Sequence, residues 1–170
     1  MPDLWVDVDT AVIVPVNVMP LIDDTDFKTI ETRNREHIDN LVLEIPKVDM
    51  KHFDIQRGCN IFTSSEVPSG TGLGSSGSVM VNLIKALSVF NNIEMSKKEV
   101  AELACYLEMD VMGAPVGKQD QYIAAYGGIQ NFIFQKDGTV EVSELRIPDN
   151  TLKELENNIL VFYTGIRRDS

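Results

Sequence analysis

Apolar positions along this chain follow two different periods, and the change from one to the other divides it into elements. Residues 5–22 (WVDVDTAVIVPVNVMPLI) are rich in Val and Ile and predict one or two strands. Pro15 and Pro20 mark strand edges or ends there, because proline cannot donate to a ladder. Residues 26–34 and 40–45 predict a further strand pair, and residues 58–67 a short strand that runs into a glycine-rich stretch. Beyond that stretch Val79, Leu83, Ala86, Leu87 and Phe90 recur at helical spacing, with Met80, Val81 and Ile84 widening the stripe. This predicts a largely buried helix that ends at Asn91-Asn92. Ser96-Lys97-Lys98-Glu99 has the form of a capping box, and Val100, Leu103, Ala104 and Leu107 extend it as a second, amphipathic helix. A loop follows from Met112 to Gly117. Residues 129–134 and 140–145 then alternate as strands around Lys136-Asp137-Gly138, a hairpin signal, and residues 159–163 (ILVFY) predict a buried strand. Strands, two helices and strands again point to an α+β fold rather than a regular βαβ series.

Size and charge narrow the function. With 170 residues, the chain is long enough for one good core, so 1–170 reads as a single domain. A net charge of −11 repels nucleic acid and anionic membrane, which removes both as expected partners. A phosphate-bearing ligand would need local help from Mg²⁺, backbone amides or a few cations. Cys59 and Cys105 are far apart and form no CxxC pair, so reduced buried thiols are expected rather than a disulfide or a zinc site. His37 and His52 each stand alone, without a metal-ligand pattern. Asp3, Asp7 and Asp9 interrupt the N-terminal region, so no leader peptide is predicted; no apolar run reaches membrane-span length, and a cytoplasmic location is expected.

The richest chemistry lies in Pro68-Ser69-Gly70-Thr71-Gly72-Leu73-Gly74-Ser75-Ser76-Gly77-Ser78, with four glycines and four serines in eleven residues. Such a loop can turn its N–H groups toward one point, and the helix after it adds unpaired N–H groups and a positive dipole end. Together these suit a phosphate. A Walker A loop is excluded, since no lysine follows the last glycine. Gly72-Leu73-Gly74-Ser75-Ser76-Gly77 matches the dinucleotide pattern literally, yet the second strand with its acidic end is missing from the following twenty residues. A ligand-free glycine turn is the remaining bland alternative.

A second constellation lies at Glu108 to Gln121 (EMDVMGAPVGKQDQ). Glu108 follows the stripe residue Leu107 at the edge of the predicted buried face, and Asp120 sits twelve positions on, beyond a Gly/Pro-rich loop. Taken singly, Glu108 reads equally well as a solvated helix-end charge and Asp120 as a loop cap. Beside a phosphate loop, the pair offers a metal ligand and a group to receive a hydroxyl proton, the two parts that phosphoryl transfer requires. Asp110 is the second choice of metal ligand. Lys118 could keep Asp120 ionised or touch a substrate phosphate. Tyr106, Tyr122 and Tyr126 read as core or pocket wall.

Pro68-x-x-x-Gly72-Leu73-Gly74-Ser75-Ser76 resembles the ATP-binding signature of the GHMP kinases, the superfamily of galactokinase, homoserine kinase and mevalonate kinase. Members usually carry alanine or serine where this chain has Gly77. The resemblance implies an N-terminal GHMP-kinase domain, a ribosomal-protein-like two-layer fold with a mixed sheet packed on helices. It implies ATP held by residues 68–77, Mg²⁺ held by the Ser76 hydroxyl and Glu108, and Asp120 as catalytic base with Lys118 beside it. The run Gly117-Lys118-Gln119-Asp120-Gln121-Tyr122, with Gly127-Gly128 and with Phe162-Tyr163-Thr164-Gly165-Ile166-x-Arg168, is similar to the D-glycero-D-manno-heptose 7-phosphate kinases. A sugar or sugar-phosphate substrate follows, with Arg167 and Arg168 as candidate contacts for its phosphate, and a homodimer is admissible. Fucose-type and mevalonate-type kinases are the neighbouring alternatives, and a non-catalytic nucleotide-binding fragment is the alternative of another class. The resemblance runs from about residue 58 to residue 168. It implies a glycine-rich N-terminal loop that Met1–Thr10 does not match and a C-terminal domain that this sequence does not contain.

Overall fold

The computed structural model describes residues 11–15, 28–32, 38, 41, 43–55, 59–63, 72–160 and 162. Three short strands form an antiparallel sheet: β1 (Ala11–Pro15), β2 (Lys28–Thr32) and, between them, β3 (Cys59–Thr63). Pro15 pairs with Cys59 at the end of edge strand β1, a position where a missing N–H costs little. In β3 Cys59 and Ile61 are both fully buried, and the period of two sends them to the same face. The expected mixed sheet is antiparallel at every described pairing, in this sheet and in the hairpin beyond it.

Helix α1 (Glu44–His52) occupies part of the segment 40–45 that the apolar pattern assigns to a strand. Pro46, Met50 and Phe53 are buried while Leu43, Ile45 and Val48 are half-buried, so the spacing is helical. Pro46 falls in the first turn, where its lack of an N–H removes no helix bond. Helix α2 (Ser75–Phe90) forms as predicted and buries Met80, Val81, Leu83, Ile84 and Leu87 completely. Removing each of those side chains from water stabilises the fold by about 1.5–3 kcal/mol. The Asn91 amide at its C-terminal end donates to the Phe53 carbonyl at 2.9 Å and ties α2 to the end of α1.

Helix α3 (Lys97–Cys105) starts at the predicted capping box: Glu99 N–H donates to Ser96 Oγ at 3.2 Å, and Ser96 N–H donates to the Glu99 carboxylate at 2.7 Å. It continues directly into a π-helical turn, Tyr106–Val111. Burial pushes the Cys105 thiol up to about 11, so it stays protonated near neutrality; Cys59 is likewise a buried thiol and not part of a disulfide. Helix α4 (Gln119–Tyr126) packs on α2 and α3 and was not foreseen in the pattern. The predicted hairpin is present as β4 (Gln130–Phe134) and β5 (Val140–Glu144). Its rings join those of α4: Tyr122, Tyr126, Phe132 and Phe134 form a cluster with centroids 5.9–6.3 Å apart.

Helix α5 (Asp149–Asn157) closes the described chain without a buried residue. The ILVFY run differs from its predicted role. Ile159, Leu160 and Phe162 are 54, 78 and 80% exposed, and among the described residues no strand pairs with them. Residues 163–168 of the sequence motif, Arg167 and Arg168 among them, lie outside the described residues, as does His37. No helix among the described residues is long and apolar enough to cross a membrane.

Replacing Ser96 by Ala removes the hydroxyl that caps α3. A loss of about 1 kcal/mol is expected. It should appear as a lower urea midpoint with an unchanged slope; an unmoved midpoint would show that the cap contributes nothing to global stability.

Candidate functional site

The site assembles at the N-terminal end of α2. Gly72 and Gly74 both adopt left-handed backbone, with φ of 76° and 72°. Gly74 is the residue that precedes the helix, so no side chain caps it. Its carbonyl receives the first helical bond from Ser78 N–H at 3.0 Å. The N–H groups of Ser75, Ser76 and Gly77 precede that bond and have no acceptor within the helix. Together with the positive dipole end they form a seat for an anion. Pro68, Ser69, Gly70 and Thr71, the first part of the expected phosphate loop, lie outside the described residues.

Three elements converge on Glu108, which is 2% exposed. Ser76 Oγ, from the first turn of α2, donates to Glu108 Oε1 in a short hydrogen bond. Gln121 Nε2, from α4, donates to Glu108 Oε2 at 2.5 Å. Glu108 follows the buried Leu107 in the π-helical turn and stands four residues after the buried Ala104, on the face that α3 turns inward. The wider winding of the turn is closed by an i+5 bond from Met112 N–H to the Leu107 carbonyl at 2.9 Å. Leu107 and Glu108, three and four residues after Ala104, both face inward. The solvated reading of Glu108 is therefore excluded. Asp110, the second-choice ligand, is on the exposed side of the same turn.

Asp120 reaches the site through two bare glycines. A Cβ on Gly74 would lie 3.1 Å from Asp120 Cγ, and one on Gly77 would lie 3.1 Å from Asp120 Cβ and 3.2 Å from the Gln121 backbone nitrogen. The start of α4 thus rests directly on the start of α2. Asp120 itself is exposed, its carboxyl group beside Gly74. Lys118 is not brought to it. The Lys118 ammonium donates to the Gly138 carbonyl at 2.7 Å and ties the hairpin turn to the start of α4. A cleft of about 390 Å³ lies on that side, lined by Met109, Lys118, Gln119, Phe134 and Thr139 among others, and none of the described phosphate-loop residues, Gly72 to Gly77, borders it.

The donor set suits one kind of cation. Among the described residues no three His, Cys, Asp or Glu side chains come together as a metal cage. The Ser76 hydroxyl and the Glu108 carboxylate instead offer two hard oxygens at the open end of a helix. Mg²⁺ is held in this way, by few protein ligands with phosphates and waters completing its shell. No described cation pairs with Glu108, and its two oxygens are met by the hydrogen bonds from Ser76 and Gln121.

Two polar residues here escaped the sequence reading. Gln121 was visible only as part of the motif around Asp120, yet it is 1% exposed and its Oε1 has no hydrogen-bond partner. Asp49 is fully buried on α1, which packs against the π-helical turn, and neither of its oxygens has a hydrogen-bond partner. Burial, and secondarily the charge of Glu108, raises its carboxyl well above the usual 3.8. An acidic residue between Val48 and Met50 would have stood out once 44–52 was read as a helix. His52 carries no chemistry here, being exposed with its ring edge-on to Phe53 at 5.4 Å.

Residues 40–128 match the family model described as the GHMP kinases N terminal domain. The chain is 37% identical over 111 residues to the D-glycero-alpha-D-manno-heptose 7-phosphate kinase of Campylobacter jejuni, across 65% of this chain and 33% of that one. It is 35% identical over 116 residues to the mevalonate kinase of Pyrococcus horikoshii, across 68% of this chain and 31% of that one. The crystal structure of a D-glycero-D-manno-heptose 1-phosphate kinase from Bacteroides thetaiotaomicron superposes with a TM-score of 0.69 at 24% identity, over 86% of this chain and 50% of that one. That likeness establishes the fold. The chain spans about a third of the length of these curated relatives.

Because Asp49 binds its proton more tightly when folded than when unfolded, its contribution to stability is greatest below 3.8 and declines as pH rises above that value. Replacing it with Asn removes this decline. The stability advantage of Asp49→Asn over the wild type, read from urea midpoints, should therefore grow between about pH 4 and about pH 7. A constant difference across that interval would contradict the burial of a titrating carboxyl.

Proposed function

The chain belongs to the GHMP kinases, and from that premise we propose that it is the nucleotide-binding portion of an ATP- and Mg²⁺-dependent kinase that phosphorylates a hydroxyl of a sugar or sugar phosphate. The observation that carries this reading is the convergence of Ser76, Glu108 and Asp120 on the uncapped start of α2. A glycine turn or a lone helix-end glutamate would account for either half alone. Their meeting around a buried carboxylate is what a phosphoryl-transfer site needs.

In this reading, the loop from Pro68 through Gly77 and the free N–H groups of Ser75, Ser76 and Gly77 bind the ATP phosphates. The Ser76 hydroxyl and Glu108 hold Mg²⁺, which supplies positive charge against the phosphates on a chain whose own net charge is −11. Asp120, placed against Gly74, orients the acceptor hydroxyl and takes its proton as the oxygen attacks the γ-phosphorus in line. Lys118 holds the hairpin to the start of α4 and so helps fix where Asp120 stands. The heptose 7-phosphate type of acceptor is favoured by the similarity of the motif around Asp120, with fucose-type and mevalonate-type acceptors next. A second reading draws on the coverage: spanning a third of its curated relatives, the chain by itself binds nucleotide without turning it over.

An ADP-release assay with Mg·ATP and heptose 7-phosphate, fucose, galactose or mevalonate separates these readings. Sugar-stimulated ADP formation, heptose 7-phosphate strongest, is expected for the first. A thermal shift with Mg·ADP and no stimulation by any acceptor is the outcome for the second. Asp120→Asn should lower transfer by about 10²–10⁴-fold and leave the Mg·ADP shift in place; undiminished turnover would remove Asp120 from the role of base.

A further inference from the structure

Gln121 sits where the fold has no need of a polar side chain. It is 1% exposed in the first half of α4, flanked by the core residues Tyr122 and Ala125, and a methionine or leucine would fill the same space. An amide buried here carries a penalty unless both its ends are paired. One end is not: Oε1 is buried and lacks a partner. The other end makes a single bond, Nε2–H to Glu108 Oε2 at 2.5 Å. The fold thus bears an unpaired acceptor in order to keep one donor against one carboxylate oxygen.

We propose that Gln121 is a positioning residue for the cation site, clamping Glu108 so that its Oε1 stays with the Ser76 hydroxyl at the open end of α2. The inference rests on the kinase reading above. A glutamate has three rotatable side-chain bonds, and the Ser76 hydroxyl alone leaves the far oxygen free to swing. A fixed donor on that oxygen removes the swing, and the cation then meets a ligand already in place. Gln121 comes from a different helix than Ser76, so the two hydrogen bonds grip the carboxylate from opposite partners. The clamp also depends on Gly77. Its missing side chain lets the Gln121 backbone nitrogen come within 3.2 Å of where a Cβ would stand, which brings the amide within reach of Glu108. Gln121 acts on the cation only through Glu108.

The test uses the 170-residue chain with Mn²⁺ as the probe, its bound and free forms separated by electron paramagnetic resonance in the presence of ADP. Gln121→Met keeps length and volume and removes the donor. It should weaken Mn²⁺ binding to the ADP complex by about tenfold, while ADP binding in EDTA stays at the wild-type level. Gln121→Asn, one methylene shorter, should weaken Mn²⁺ in the same direction and serves if the methionine variant does not fold. Wild-type Mn²⁺ affinity in a folded variant would overturn the inference, as would an equal loss of metal-free ADP binding. Collapse of both variants would assign Gln121 to the core instead. A wild-type chain that binds no Mn²⁺ with ADP would overturn the kinase reading itself, and this inference with it.

Discussion

A carboxylate taken out of water at a helix end governs the arrangement around it. Glu108 keeps only 2% of its surface exposed, and a charge so placed is tolerable only if its oxygens are bonded. The bonds come from Ser76 and Gln121, on two helices far apart in sequence. Helix α2, helix α4 and the π-helical turn must therefore all be in place before the charge is satisfied. Asp49, buried nearby without a partner, sharpens the constraint, because two ionised carboxylates in one dry region repel each other. The elevated proton affinity of Asp49, caused first by burial and then by Glu108, eases that repulsion.

Absent side chains matter as much as present ones. Gly74 and Gly77 bring α4 onto the start of α2 at distances that any Cβ would crowd, and that approach sets both Asp120 and Gln121. The glycines of the loop thus have two separate uses. Gly72 and Gly74 supply left-handed backbone for the turn, whereas Gly77 sits inside the helix and supplies only room. Gly77 is thus a packing contact between two helices.

Much of this was legible in the sequence where a local pattern was strong. The stripe from Val79 to Phe90, the Ser96 box and the turn at Lys136-Asp137-Gly138 each carry their own signal, and each formed as expected. Ser76, Glu108 and Asp120 were legible as candidates, and the fold brings them together. Elements decided by distant partners were not legible. Segment 40–45 reads as strand until Pro46 is recognised as a first-turn residue, and ILVFY reads as buried only if a sheet edge waits for it. The π-helical turn has no composition of its own. The burial of Glu108, and with it the pairing of Gln121 and the setting of Asp49, depends on helices that pack from elsewhere in the chain. Lys118 shows the opposite error, since its position two residues before Asp120 suggested a partnership that the hairpin carbonyl takes instead.

The extra residue wound into Tyr106–Val111 has a bearing on how such a site can change over time. A surplus residue in a helical turn comes as a whole unit; it cannot be dialled in by degrees. Losing it would turn the chain after Val111 relative to the helix before it, and so re-aim the segment that leads to Asp120 and Gln121. The hairpin and the exposed loops around it are free of that arithmetic and can drift residue by residue. The π-helical turn thus couples the helix that carries Glu108 to the placement of the next one, and a change in its winding would be felt at Gln121.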